Sequence, residues 1–366
     1  MDAKSKSKNK TSLKNKVELN NIKSDYFLIR IFEYLKRNKS LKIVKYNKNI
    51  QKRLNKSIND YKEYPKKYSP IEIELIPVKN AIGKYITVFE GEEDFYHIYF
   101  NDNNKEIKTY KLAEGDNVSK IKIIVDHQIE SFEKLFEDCE SIESITFKKF
   151  YRDNIMDTSY MFYSCYSLKE LNLSNFNTEN VRDMSCMFLG CHLLKEINLS
   201  NFNTNNVINM ESMFNGCSLI EKLNLSNFDT SNVVSMTYMF NRCDNLKELN
   251  LSNFKTNKVV YMNYMFYGCG SLKNLNVSKF DTSQVINMEY MFSECMSIKM
   301  LDLSNFNTSN VTDMRYMFSR CYSLNKLNIS NFNIDKVECM GCMFNQCPEK
   351  LINKMKSEKK FNDAFK

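Results

Sequence analysis

Between about residues 130 and 350, apolar positions return on a fixed step of 26 residues. Cys139, Cys165, Cys191, Cys217, Cys243, Cys269, Cys295, Cys321 and Cys347 keep that step without an insertion or deletion. A phenylalanine three residues earlier keeps it too, from Phe136 and Phe162 through to Phe344. Each copy contains two rhythms. In LKELNLSNF, Leu168, Leu171 and Leu173 alternate with polar Glu170, Asn172 and Ser174, the pattern of a short strand with one buried face. Phe176 opens a second aromatic column, continued by Phe202, Phe228, Phe254, Phe280, Phe306 and Phe332 and preceded by Phe150, which is predicted to stack as a spine. Val233, Met236, Met239, Phe240, Cys243 and Leu246 then fall at helical spacing and predict one or two helical turns. Asp183, Asn209, Asn287 and Asp313 stand where such a turn would take its N-cap.

One such unit cannot bury its apolar face, whereas a stack of them can. The pattern predicts an α/β solenoid of about nine coils over 129–347, with a parallel sheet and short helical segments. Residues 348–366 read as a capping helix. Ahead of the array, residues 1–20 are polar and lysine-rich and read as a disordered basic arm. Residues 21–64 read as a helical segment, because Leu28, Ile31, Phe32 and Leu35 share one helical face and Leu41, Val44 and Tyr46 begin a second, less regular pattern. Residues 65–128 alternate in short β-branched and aromatic runs (IEIELIPV, FYHIYF, KIKIIV) and predict a small β-rich antiparallel domain.

Composition adds an asymmetry. The net charge is +8, but residues 1–64 hold 18 Lys and Arg against 6 Asp and Glu, leaving the remainder with 34 against 38. The basic character belongs to the N-terminal segment, where an arm of this kind suits a polyanion or simply solvates a tail. There is no signal-peptide pattern and no run of 18 apolar residues, so an intracellular protein without a membrane span is expected, with the cell surface or secretion as the alternative.

Chemistry-bearing patterns are few. Phosphate loops, nucleophile elbows and His-Glu-x-x-His are absent, and only His97, His127 and His192 occur, none at motif spacing. No cofactor and no enzyme activity are expected. The cysteines of the column read as a buried, reduced ladder. Cys186, Cys339 and Cys342 lie outside it, and Cys339-x-x-Cys342-x-x-x-x-Cys347 is half of a zinc pattern, so no metal is expected. What remains is the exposed strand face. Asn172, Asn198, Asn224, Asn250, Asn276 and Asn328, with Asp302 in the seventh place, form one column, and Ser174 belongs to the next. A third varies from copy to copy: Glu170, Glu196, Lys222, Glu248, Asn274, Met300 and Lys326. These columns are either a recognition strip or a polar coat on an otherwise adhesive sheet. The variable one is where a partner's specificity is expected.

LSNFDTSNV followed by MTYMFNRCDNLKEL resembles the BspA-like leucine-rich repeat over about 130–347. That resemblance implies a binding module without catalytic chemistry: a scaffold for protein, with glycan as a further possibility, or a surface adhesin. Residues 21–56 resemble an F-box without its usual Leu-Pro start, which implies a third role as a ubiquitin-ligase adaptor. No nucleic-acid motif is present.

Overall fold

The computed structural model describes residues 22–34, 47–55 and 69–366. The chain divides into two compact units, Met1–Pro65 and Lys66–Lys366. In the first, α1 (Asp25–Tyr34) buries Leu28 completely and Ile31 and Phe32 partly. A second helix, α2 (Lys48–Arg53), starts at Asn47, whose side chain accepts the Ile50 N–H, and it buries Ile50. Arg53 ties the two together through Asp25 (2.6 Å) and the Ile22 carbonyl. Leu35, Leu41, Val44, Tyr46 and the basic arm lie outside the described residues.

The second unit begins with strands β1 (Ile71–Pro77), β2 (Gly83–Lys84), β3 (Tyr96–Phe100), β4 (Lys111–Leu112), β5 (Ile121–Val125) and β6 (Ile142–Lys149). β1 buries every second residue, as its alternation demands. It pairs antiparallel with β5 on one side and β6 on the other, and β3 adds antiparallel to β5. β6 also pairs parallel with β7 (Glu170–Asn172), the strand of the next copy. One sheet, ordered β3-β5-β1-β6-β7, therefore runs from the antiparallel segment into the repeats. Arg152 pins this junction. It is fully buried, and its guanidinium donates to the carbonyls of Ser69 (2.6 Å), Val125 (2.9 Å) and His127.

Further along, the strands are short and register in pairs: β8 (Lys222–Leu223) with β9 (Glu248–Leu249), and β10 (Met300–Asp302) with β11 (Lys326–Asn328), both parallel. The opposite side of each copy departs from expectation. The Met-x-x-Met-Phe-x-x-Cys block holds no helix. Its N–H groups bond forward to the next copy: Met184 to Asn209, Cys186 to Glu211, Phe188 to Met213 and Gly190 to Asn215, at 2.8–3.1 Å. Within the block the chain closes β-turns, Met187 N–H to Met184 and Cys191 N–H to Phe188. Cys186 (φ 54°) and Gly190 (φ 80°) take the left-handed backbone that the third position of such turns requires. Both a helix and a chain of turns repeat about every three residues, so the spacing alone does not separate them. The expected helix caps, Asp183, Asn209, Asn287 and Asp313, are instead rungs of a continuous line of parallel bridges from Ser131 to Cys339. Their side-chain oxygens accept the N–H two residues on.

The core lies between these two ladders and contains the Leu, Val, Met, Phe and Cys columns. The unbroken aromatic stack is the column before cysteine, Phe136 through Phe344, with ring centroids 5.6–5.8 Å apart. Phe176, Phe202 and Phe228 also stack, at 6.0 and 6.4 Å. At the far end α3 (Glu349–Ser357) and a 3-10 helix (Lys359–Phe365) bury Leu351, Met355, Phe361 and Ala364. The Ala364 carbonyl accepts the Met343 N–H (3.1 Å), which also closes its own turn onto the Met340 carbonyl (3.3 Å).

Candidate functional site

The strand face arises because Leu171 and Leu173 point into the core and leave the residues around them outside. All thirteen positions singled out there are exposed: Glu170, Asn172, Ser174, Glu196, Asn198, Lys222, Asn224, Glu248, Asn250, Asn276, Asp302, Lys326 and Asn328. The structure sets them in columns on one surface. The Asn column already has local work. Asn172 Oδ1 accepts the Ser174 N–H at 3.0 Å, and the same bond recurs at Asn198, Asn224, Asn250, Asn276, Asp302 and Asn328. Each thus turns the chain out of its strand. The Ser304 N–H holds the Asp302 carboxyl below its usual range.

The charged columns behave differently. In the column of Glu170, Lys222 pairs with Glu248 at 3.0 Å. The neighbouring column, one residue earlier, went unnoticed in the sequence although it varies as much: Glu143, Lys169, Lys195, Glu221, Lys247, Lys273, Lys299 and Asn325. Lys169 pairs with Glu143 (2.9 Å) and Lys247 with Glu221 (2.8 Å), which lowers the Glu221 carboxyl pKa. The two columns flank an open depression of about 450 Å³ lined by Lys195, Glu196, Leu219, Glu221, Lys222 and Asn245.

The turn face offers a second array. Tyr238, Tyr264, Tyr290 and Tyr316 stack with centroids 4.5–4.6 Å apart. Their faces cover one another, the residues are half-buried, and side-chain hydrogen bonds join Tyr238 to Tyr264 and Tyr316 to Tyr290 and Cys342. All four sit at φ near 55°, so stacking offsets a backbone that costs a non-glycine residue about 1–2 kcal/mol. Arg315 lies against Asp313 (2.7 Å) and Glu289 (3.3 Å), while burial first, then Asp313, raises the Glu289 carboxyl pKa. In the sequence, only the 26-residue recurrence of tyrosine from Tyr238 to Tyr316 signals the ladder.

Sulfur chemistry is confined. The column thiols are free and buried, and from Cys165 onward each donates to the carbonyl of the phenylalanine 29 residues before it, as Cys191 does to Phe162 at 3.2 Å. Burial pushes Cys165 and Cys217 up to about 12. Cys339 is exposed. Among the described residues no group of three or more His, Cys, Asp or Glu is placed to hold a metal, and no helix is long and apolar enough to cross a membrane.

A family model described as Mycoplasma protein of unknown function, DUF285, matches residues 130–248, 194–301 and 271–360. A BspA type leucine rich repeat region, in six copies, matches residues 56–182, a span that includes the antiparallel strands. The crystal structure of a leucine-rich repeat protein from Bacteroides ovatus is similar at 15% identity, with 68% of this chain and 88% of that chain covered and a TM-score of 0.25. No curated protein matches.

Proposed function

Since the chain belongs to the DUF285 family and carries BspA-type leucine-rich repeats, we propose that it is a non-enzymatic scaffold whose strand face binds another protein. One observation carries this reading. On a backbone of constant register, the exposed column Glu170, Glu196, Lys222, Glu248, Asn274, Met300 and Lys326 changes charge and polarity from coil to coil. A regular frame holding irregular side chains is what a surface needs to tell partners apart. Protein is favoured over glycan because this face offers Lys, Glu, Asn and Ser, with no flat ring for a sugar to lie on among those columns.

The test compares two variants of the full chain by in-cell crosslinking. Reversing Glu170, Glu196, Lys222 and Glu248 should remove the main crosslinked partners. Replacing Ile208 and Val234, exposed beside the turn face, with serine should leave them. If both variants keep the same partners, the strand face is not the contact surface.

A further inference from the structure

The charge pattern on the strand face changes part-way along the array. Through the coil of Lys247 and Glu248, opposite charges meet across neighbouring coils: Glu143 with Lys169, Glu221 with Lys247 and Lys222 with Glu248. Beyond that coil the same two columns read Lys273, Lys299, Asn325 and Asn274, Met300, Lys326. They contain no carboxylate. Lys273, Lys299 and Lys326 are exposed, and no ion pair reaches them among the described residues. Lys354 of α3 extends the row, its ammonium reaching the Leu327 carbonyl at 3.4 Å. The nearest acid along the strands, Asp302, is occupied by the Ser304 N–H (3.0 Å) and the Asn328 amide (2.9 Å). Met300, in the middle of the row, is 63% exposed.

Adjacent coils stand about 4.8 Å apart. Like charges at that spacing repel, and the earlier coils relieve the repulsion with glutamates that the later coils lack. The counter-charge for the later row has to come from outside these columns.

We propose that the strip of Lys273, Lys299, Lys326 and Lys354 around Met300 docks an extended acidic peptide segment of a partner protein. This inference rests on the strand face being the contact surface, and it names the partner's chemistry there. Three features select a peptide. The cations are all lysine, a point charge, where a phosphate or sulfate polymer is typically gripped by the bidentate fork of arginine. Met300 offers an apolar contact suited to a large side chain between the acids. The Asn276 Oδ1 accepts the Ser278 N–H (3.0 Å), so what this side chain can offer a peptide is its amide N–H, a donor for backbone carbonyls. Carboxylates on one side of an extended peptide recur every second residue, about 6.8 Å, which flexible lysine side chains on successive coils can follow.

Fluorescence anisotropy on the full chain tests this, with a labelled decapeptide of alternating glutamate and serine carrying one central leucine. Binding should weaken at least about tenfold when Lys273, Lys299 and Lys326 are all changed to glutamate, and by an intermediate factor when they are changed to glutamine. Changing Lys4, Lys6 and Lys8 to glutamate should leave it within about threefold. Unchanged urea midpoints confirm that the variants are folded. Equal binding by the strip variants, or loss only with the arm variant, overturns the proposal. Tighter binding of an oligothymidylate or a sulfated glycan, lost with the same strip variant, overturns the peptide assignment and leaves the strand face standing. No peptide binding, while the Glu170, Glu196, Lys222 and Glu248 reversal still removes crosslinked partners, sinks this inference alone.

Discussion

Small polar side chains knit one coil to the next. Thr230 is fully buried, and its hydroxyl both donates to the Lys255 carbonyl (2.9 Å) and accepts the Lys255 N–H (2.8 Å). Asn227 sends its amide into the preceding coil, to Leu199 (3.0 Å) and Phe202 (2.6 Å). Thr230→Val keeps the shape and leaves both Lys255 groups unpaired, so it should cost about 1–3 kcal/mol in urea unfolding. A neutral result would mean that water reaches the site. The thiol column gives a pH prediction. Burial raises Cys165, Cys217 and Cys347 from an ordinary 9.0 to about 12. The folded state therefore holds protons that the unfolded chain releases. Their contribution is complete below pH 9 and is lost as pH rises towards 12, so the urea midpoint should fall across that window, and less so in a variant with Cys165, Cys217 and Cys347 replaced by alanine. At this scale the sequence announced the apolar columns and concealed the polar ones. Leu225, Phe228, Met236, Met239 and Cys243 are inside as their spacing requires. Asn227 and Thr230 look like surface residues because their partners lie 25 to 28 positions away and become neighbours only after stacking.

Among elements, the strand was readable and the segment opposite it was misread. The steps between Met236, Met239, Phe240 and Cys243 fit a helix as well as a chain of turns. What decides is where the N–H groups go, and those of Tyr238 and Phe240 go to the next coil, to Asn263 (3.1 Å) and Met265 (2.9 Å). The left-handed residues that allow this are Tyr238 and Arg242, neither of which carries the glycine signature of such a turn. Phe240 stacks on Phe214 and Phe266 at 5.8 and 5.7 Å. Phe240→Ala should cost about 3–5 kcal/mol, read from the denaturation midpoint. The 3-10 helix (Lys359–Phe365) packs on the last coil through Phe361 against Phe344 and through the Met343 N–H to the Ala364 carbonyl. Removing residues 349–366 should lower the midpoint and start protease digestion at the last coils. Cleavage beginning elsewhere would show that the segment is not a stabilising end.

For the Lys66–Lys366 unit as a whole, the two ends differ from the middle. The antiparallel strands occupy the first coil's open edge through β1 and β6, helped by the Thr87 N–H to the Leu135 carbonyl (2.8 Å), and the C-terminal 3-10 helix covers the last coil through Phe361 and Ala364. Between them every coil meets its neighbours through the same columns. The side-chain pattern of the strand face was the least legible feature at any scale. A pairwise pattern such as Lys222 with Glu248, or its failure at Lys273 and Lys299, has meaning only once the copies are laid side by side. The constant step of 26 residues carries one more consequence. Excising residues 223–248 joins Lys222 to Leu249, and each column then meets the same kind of residue as before. Such a chain should still unfold cooperatively, with a lower midpoint because one set of neighbour contacts is gone, whereas excising half a copy should abolish the transition. A gain or loss of one whole copy is thus expected to yield a foldable product, whereas a change by any other length is not. Length in this array is therefore set in whole coils, each added or removed without altering the two ends that close it.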